Sequence, residues 1–173
     1  MRYGRWLSFL AAAALFATVV GVHGADMNAA RADAPGGKSL TGGWTQNGSY
    51  VWGGTARTAV VHHAFDATMT FDWPDAQGNV FVGHSVAKLH LLVNADGTGT
   101  ANGFEMFIGS VDGRQGQTVF DVEVTITNFV DYKGTARCLG GTNGLENLEC
   151  LGSFVGTTEG GRYWTGGSYS FSE

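Results

Sequence analysis

From residue 40 onward the apolar residues of this chain recur at every second position, which is the period of a strand and not of a helix. The clearest case runs from Ala59 to Trp73. Ala59, Val61, His63, Phe65, Ala67, Met69, Phe71 and Trp73 fall on one face, and Val60, His62, Ala64, Asp66, Thr68, Thr70 and Asp72 on the other. One apolar face opposite a mostly polar one predicts a half-buried antiparallel strand. Pro74-Asp75-Ala76-Gln77-Gly78 ends it in a turn,. In Val80–Asn94 the residues Phe81, Ala87, Leu89, Leu91 and Val93 oppose His84, Lys88 and His90, and Ala95-Asp96-Gly97 then makes a hairpin turn,. Thr98–Val111 follows, with both faces apolar around Glu105, so it is expected to be buried on both sides. In Gln117–Asn128, Thr118, Phe120, Val122, Val124 and Ile126 oppose Asp121, Glu123, Thr125 and Thr127. Shorter strands near Gly134–Leu139, Leu148–Gly156 and Arg162–Phe171, with Trp44–Trp52 at the start, bring the count to about eight. No segment carries a helical stripe.

Eight strands in an open sheet would leave long edges that invite aggregation. Closure into an up-and-down barrel, or stacking into a sandwich, removes the hazard. The expected fold is therefore all-β, an eight-stranded antiparallel up-and-down β-barrel, with a sandwich as the rival. Composition agrees, with 28 glycines, 2 prolines and only 14% charged residues. A hydrophobic content of 43% excludes disorder,. The glycines lack a period of three, which excludes collagen,. Eight strands enclose room for packed side chains or for one small ligand.

The first 24 residues change the setting. Arg2 and Arg5 precede the apolar run Trp6–Val22, the pattern of a signal peptide, with cleavage expected before Ala25,. An uncleaved anchor is the alternative, since the run approaches the length of a span. Residues 25–40 read as a flexible leader and residues 41–173 as the barrel domain. The expected location is secreted or in the cell envelope, with no stable membrane span after cleavage. Cleavage takes the net charge from −5 to about −7,, which argues against nucleic acid as a partner. In an oxidising compartment Cys138 and Cys150, separated by a turn-rich loop, are expected to form a disulfide,. Two isolated cysteines supply too few ligands for a metal site.

Familiar catalytic motifs are missing, and neither a cofactor nor a metal is expected. Gly83-His84-Ser85-Val86-Ala87 loosely matches a nucleophile elbow but lies inside a strand,. His62 and His63 are adjacent and point to opposite faces, so they cannot share one metal. His63, on the apolar face, is the interior candidate, with a hydrogen-bonded core histidine as the plainer reading. Glu105 is the carboxylate of interest. Inside the barrel its pKa would rise, which suits a general acid or base. Periodicity alone favours a rim or outward position paired with Lys88 or Arg137. Phe65, Phe107, Tyr163 and Tyr169 are candidate ligand-binding aromatics, or core. Tyr163 and Tyr169 are placed on one face of the last strand, with Phe171 and Thr165, and Trp164 opposite.

Two stretches carry a resemblance. Asn94–Gly116, with Glu105-Met-Phe-Ile-Gly109 and the turn Gly113-Arg-Gln-Gly116, resembles an uncharacterised bacterial branch of small barrels related in fold to allene oxide cyclase. Gly140–Gly156, with its Gly-Gly-Thr-Asn-Gly start and the run Leu-Gly-Ser-Phe-Val-Gly, is similar to the glycine hairpin of allene oxide cyclases and dirigent proteins. The resemblance implies an eight-stranded barrel with an apolar cavity and places Glu105 at the family's inward glutamate. It further implies cyclases or isomerases that act by holding a reactive conformer in a dry pocket. The export signal and the disulfide depart from an intracellular biosynthetic role. Two functions are thus carried forward. One is an exported barrel that binds, and in its catalytic form cyclises or isomerises, a small apolar molecule, with Glu105 and His63 as catalytic candidates. The other is a non-catalytic secreted protein with a packed core that acts through partners. A homo-oligomer is left open.

Overall fold

The computed structural model describes residues 37–57, 62–158 and 160–172. The expected signal peptide, most of the leader and residues 58–61 at the start of the predicted Ala59–Trp73 strand lie outside the described residues. The elements are β1 (Lys38–Ser39), β2 (Gly43–Arg57), β3 (His62–Trp73), β4 (Phe81–Asn94), β5 (Gly99–Val111), β6 (Arg114–Ile126), β7 (Asp131–Asn143), β8 (Leu148–Thr157) and β9 (Gly161–Phe171). Every pairing is antiparallel and between neighbours in sequence, except where β9 returns to β2 and to β1. Pairing of β9 with both β8 and β2 closes an eight-stranded ring. The short strand β1 sits on the same edge of β9 as β2, opposite Ser168 and Tyr169. Leu40 behind it is buried in the core. Residues 38–40, read from the sequence as the end of a leader, are therefore part of the barrel wall.

Alternation decides which side chains enter the ring. On β3 the buried residues are Ala67, Phe71 and Trp73, and on β4 they are Phe81, Ser85, Ala87, Leu89 and Leu91, as the period of two predicted. One half of the interior is filled by aromatic rings. Trp44 and Trp73 stack at 4.1 Å between centroids, and Phe81, Phe107, Phe120, Phe154 and Trp164 pack around them. Following each strand away from this cluster, the inward residues become small or aliphatic: Ala67, Ala87, Leu89, Ala101, Val122 and Val124.

The structure corrects the sequence reading in three further places. Strand β5 is buried on one side only, because the chain forms a single closed layer; Phe104, Met106 and Ile108 point outward and are exposed. On β9 the pairing with β8 shifts register between Ser153 and Phe154, so the side-chain phase slips by one residue. Arg162 and Trp164 point in before the slip and Tyr169 after it, while Tyr163 points out. Tyr163 and Tyr169 therefore do not share a face. Lastly, β2 pairs with β9 only over Gly43–Thr45 and beyond that with β3 alone. The outer part of the β2–β3 hairpin thus has no strand across from it on the β2 side among the described residues, which leaves Tyr50, Val51 and His63 exposed.

Cys138 on β7 and Cys150 on β8 form a disulfide with Cα atoms 4.9 Å apart. It ties together strands joined by the turn around Leu145, the expected pairing. Among the described residues no helix is long and apolar enough to cross a membrane. Together these features are compatible with an extracytoplasmic protein.

Candidate functional site

Polar groups enter the interior at one level, where the aromatic half gives way to the small-residue half. Glu105 is the inward residue before Phe107 on β5, Ser85 lies on β4, Arg162 is the inward residue before Trp164 on β9, and Tyr132 lies at the start of β7. All four are buried, with Glu105 only 3% and Arg162 only 5% exposed. Alternation explains Glu105: it lies opposite Ala87 and Phe120, both inward residues, in the antiparallel register. Lys88 and Arg137, considered as outward partners for it, lie on the outer face, where Arg137 pairs with Asp121 at 3.0 Å.

A directed chain of hydrogen bonds leads to the carboxyl. Trp73 Nε1 donates to Ser85 Oγ at 2.8 Å, and Ser85 Oγ donates to Glu105 Oε1. Burial pushes the Glu105 carboxyl above the ordinary glutamate range; the Arg162 charge and the Ser85 hydrogen bond act in the opposite direction without prevailing,. The second arm is cationic. Arg162 Nε donates to Tyr132 Oη, which in turn donates to the Thr157 carbonyl at 3.3 Å. The guanidinium lies 3.9 Å over the Phe71 ring, 4.9 Å from that of Tyr132, and 3.9 Å from Met69 Sδ. Burial likewise raises the Tyr132 phenol. Glu105 and Arg162 sense each other's charge, yet each spends its hydrogen bonds elsewhere.

Of the aromatic candidates, Phe107 is wholly enclosed in the ring cluster and Tyr169 is buried beside Phe171. Phe65 is half-buried on the small-residue side. Tyr163 and His63 are exposed, so neither joins Glu105. Sequence reasoning missed Arg162, Ser85 and Tyr132. A phase slip hid the inward face of Arg162, and a lone serine or tyrosine carries no signal in a period of two. His84 and His90 each meet an aspartate on the outer face, Asp72 at 2.6 Å and Asp66 at 2.9 Å. No three His, Cys, Asp or Glu side chains converge on a metal position among the described residues. A groove of about 530 Å³ opens on the outside, lined by Leu92, Thr98, Thr100, Thr125, Ile126 and Lys133, away from Glu105.

No family model matches the chain, and no curated protein does. Among solved structures it is similar to a protein of unknown function from the DUF3224 family of Shewanella oneidensis. The identity is 14% and the TM-score 0.57, over 79% of this chain and 99% of that one. At this identity the likeness speaks for the fold.

Proposed function

We propose that this protein is an exported barrel that takes up a small, largely apolar molecule with an acidic or carbonyl head, the head facing Arg162 and Glu105. The observation that carries the reading is the guanidinium of Arg162, buried, stacked on Phe71 and bonded to Tyr132 without an ion pair to Glu105. An arginine enclosed this way costs several kcal/mol in desolvation, and a better-packed apolar residue would be more stable. Perturbed charges in such interiors gather at functional sites. A ligand carboxylate would supply the missing countercharge in the bidentate geometry that guanidinium favours. Glu105, biased by burial toward its neutral form, has an O–H to donate to the same head. The apolar tail would lie along Ala67, Ala87 and Leu89, inward residues of the half that the aromatic rings do not fill. The resemblance to allene oxide cyclase-like barrels supports the same use of the interior.

The catalytic form of this reading is an isomerase or cyclase that templates one conformer, with Glu105 as proton donor and acceptor. In that form, Glu105→Gln abolishes turnover of an identified substrate while the melting temperature stays within a few degrees. Binding is tested first, by tryptophan fluorescence with medium-chain and long-chain fatty acids and the matching alcohols. Acids are expected to bind at least tenfold more tightly than alcohols, and Arg162→Met is expected to erase the preference. Equal binding of both classes, or a preference that survives Arg162→Met, overturns the reading.

One observation favours a second function. Seven aromatic rings fill half of the interior, as in a barrel whose core serves stability alone and whose contacts lie outside. A complete lack of fluorescence response across the panel would favour this non-catalytic secreted protein.

A further inference from the structure

We infer that the outer face centred on β5 is the docking surface for a second copy of this chain, related by a twofold axis running along that strand. Phe104, Met106 and Ile108 stand in line on it, 57%, 44% and 49% exposed. In the register of the wall, Val86 on β4 and Val119 on β6 flank Met106. Exposed Leu139 on β7 extends the row beyond Val119, across the register shift between Thr118 and Phe120.

This patch is local. Outward positions on β3 are Asp66, Thr68, Thr70 and Asp72, and those farther along β6 and β7 are Glu123, Thr125, Lys133 and Thr135. A lipid-facing barrel would need an apolar belt around its whole girth and a polar interior, the reverse of what these strands carry. At roughly 150–250 Å² per large side chain, the exposed fractions sum to about 400 Å² of apolar surface. That is near the size at which a patch on a monomer signals an interface. It is also about half of the roughly 800 Å² per partner in a standard complex, leaving the rest to a polar rim.

The rim matches itself under the proposed symmetry. Across β4, β5 and β6 the register gives the rows Lys88–Phe104–Asp121, Val86–Met106–Val119 and His84–Ile108–Gln117. A twofold axis along β5 exchanges the outer columns. It sets Phe104 on Phe104, Met106 on Met106 and Ile108 on Ile108. It also sets Val86 on Val119 and Lys88 on Asp121, each twice. An isologous contact requires a patch to be complementary to its own rotated image, and this one is complementary in both shape class and charge. Two convex walls meeting this way touch along β5 and diverge toward β3 and β7.

Sedimentation equilibrium of the whole exported chain over a concentration series tests the inference. A mass of two chains is expected. Met106→Lys is expected to give the mass of one chain with unchanged far-UV circular dichroism and melting, and Lys88→Asp to weaken association at least tenfold. Because the axis passes at Met106, Met106→Cys should cross-link two chains under mild oxidation, and Thr135→Cys on β7 should not. The mass of one chain throughout the series overturns the inference, as does a dimer that tolerates Met106→Lys. A single chain that sediments with phosphatidylglycerol vesicles through the same residues would assign the patch to a lipid surface and overturn it equally.

Discussion

At the scale of single residues, the buried carboxyl of Glu105 sets how the stability of this barrel responds to pH. Burial holds the Glu105 carboxyl above its ordinary value of 4.5. The folded chain therefore keeps this proton over a pH range in which the unfolded chain has lost it. Stability falls with rising pH wherever the folded state binds more protons. The Glu105 contribution is thus fully present below the unfolded value and is lost as pH climbs toward the raised folded value. Asp72 and Asp112 shift the other way, held low chiefly by hydrogen bonds from Asn47 and Lys38, and their contribution is lost in acid below 3.8. The two windows are separate. Denaturant titrations at a series of pH values should show Glu105→Gln lacking the decline that the wild type shows above pH 4.5, with parallel behaviour in acid. A decline of equal slope in both proteins would mean that Glu105 is ionised in the folded barrel at neutral pH.

At the scale of elements, β8 and β9 carry the geometry on which the site depends. Gly167 has φ of +123°, and a Cβ there would lie 2.4 Å from Gly152 Cα and from the Leu151 carbonyl oxygen. Its neighbour Gly166 has open space around its Cβ position. Gly167→Ala is expected to destabilise by about 2–3 kcal/mol through backbone strain and the clash. Gly166→Ala should stay within about 0.5 kcal/mol of wild type, because only the unfolded chain gains restriction. Equal effects in thermal melts would show that the register shift does not depend on Gly167. The same hairpin region holds the disulfide on its other side. Reducing it, or replacing Cys138 and Cys150 together by Ala, should cost roughly 2–3 kcal/mol on the loop-entropy scale for a loop of this length. The barrel should remain folded, since seven other strand pairings close it.

At the scale of the whole molecule, the interior is divided into an aromatic half and a half lined by small and aliphatic side chains, with the polar level between them. Phe120 touches Trp73, Phe81 and Phe107 and is 1% exposed. Phe120→Ala should cost about 3–5 kcal/mol, the usual figure for an emptied aromatic site. The stacked indoles of Trp44 and Trp73 predict an exciton couplet in the far-ultraviolet circular dichroism that Trp44→Phe removes. A spectrum indifferent to that change would mean the stack is not held in solution. The buried indole N–H groups of Trp44 and Trp164 have no hydrogen-bond partner among the described residues. Trp164→Phe should accordingly cost less than its lost ring area alone suggests, since an unpaired buried donor carries a penalty of about 1–3 kcal/mol.

The sequence by itself determined the eight strands of the ring, their order and the inward set on β4, β6 and residues 67–73 of β3, because a period of two is a local property of the chain; His63, on the same predicted face of β3, is exposed. It also determined the cysteine pairing, with only two cysteines to join, and it left Glu105 with two placements. Only the tertiary structure chose between them, since the direction of one strand's face depends on which neighbours close around it. The same closure turned the second apolar face of β5 outward, where sequence alone suggested burial on both sides. The register slip on β9 was equally invisible, because a bulge is a mismatch between two strands and neither strand records it alone. It is this slip that separates Tyr163 from Tyr169, and closure of the ring that brings Arg162 to the level of Glu105 from the far end of the chain.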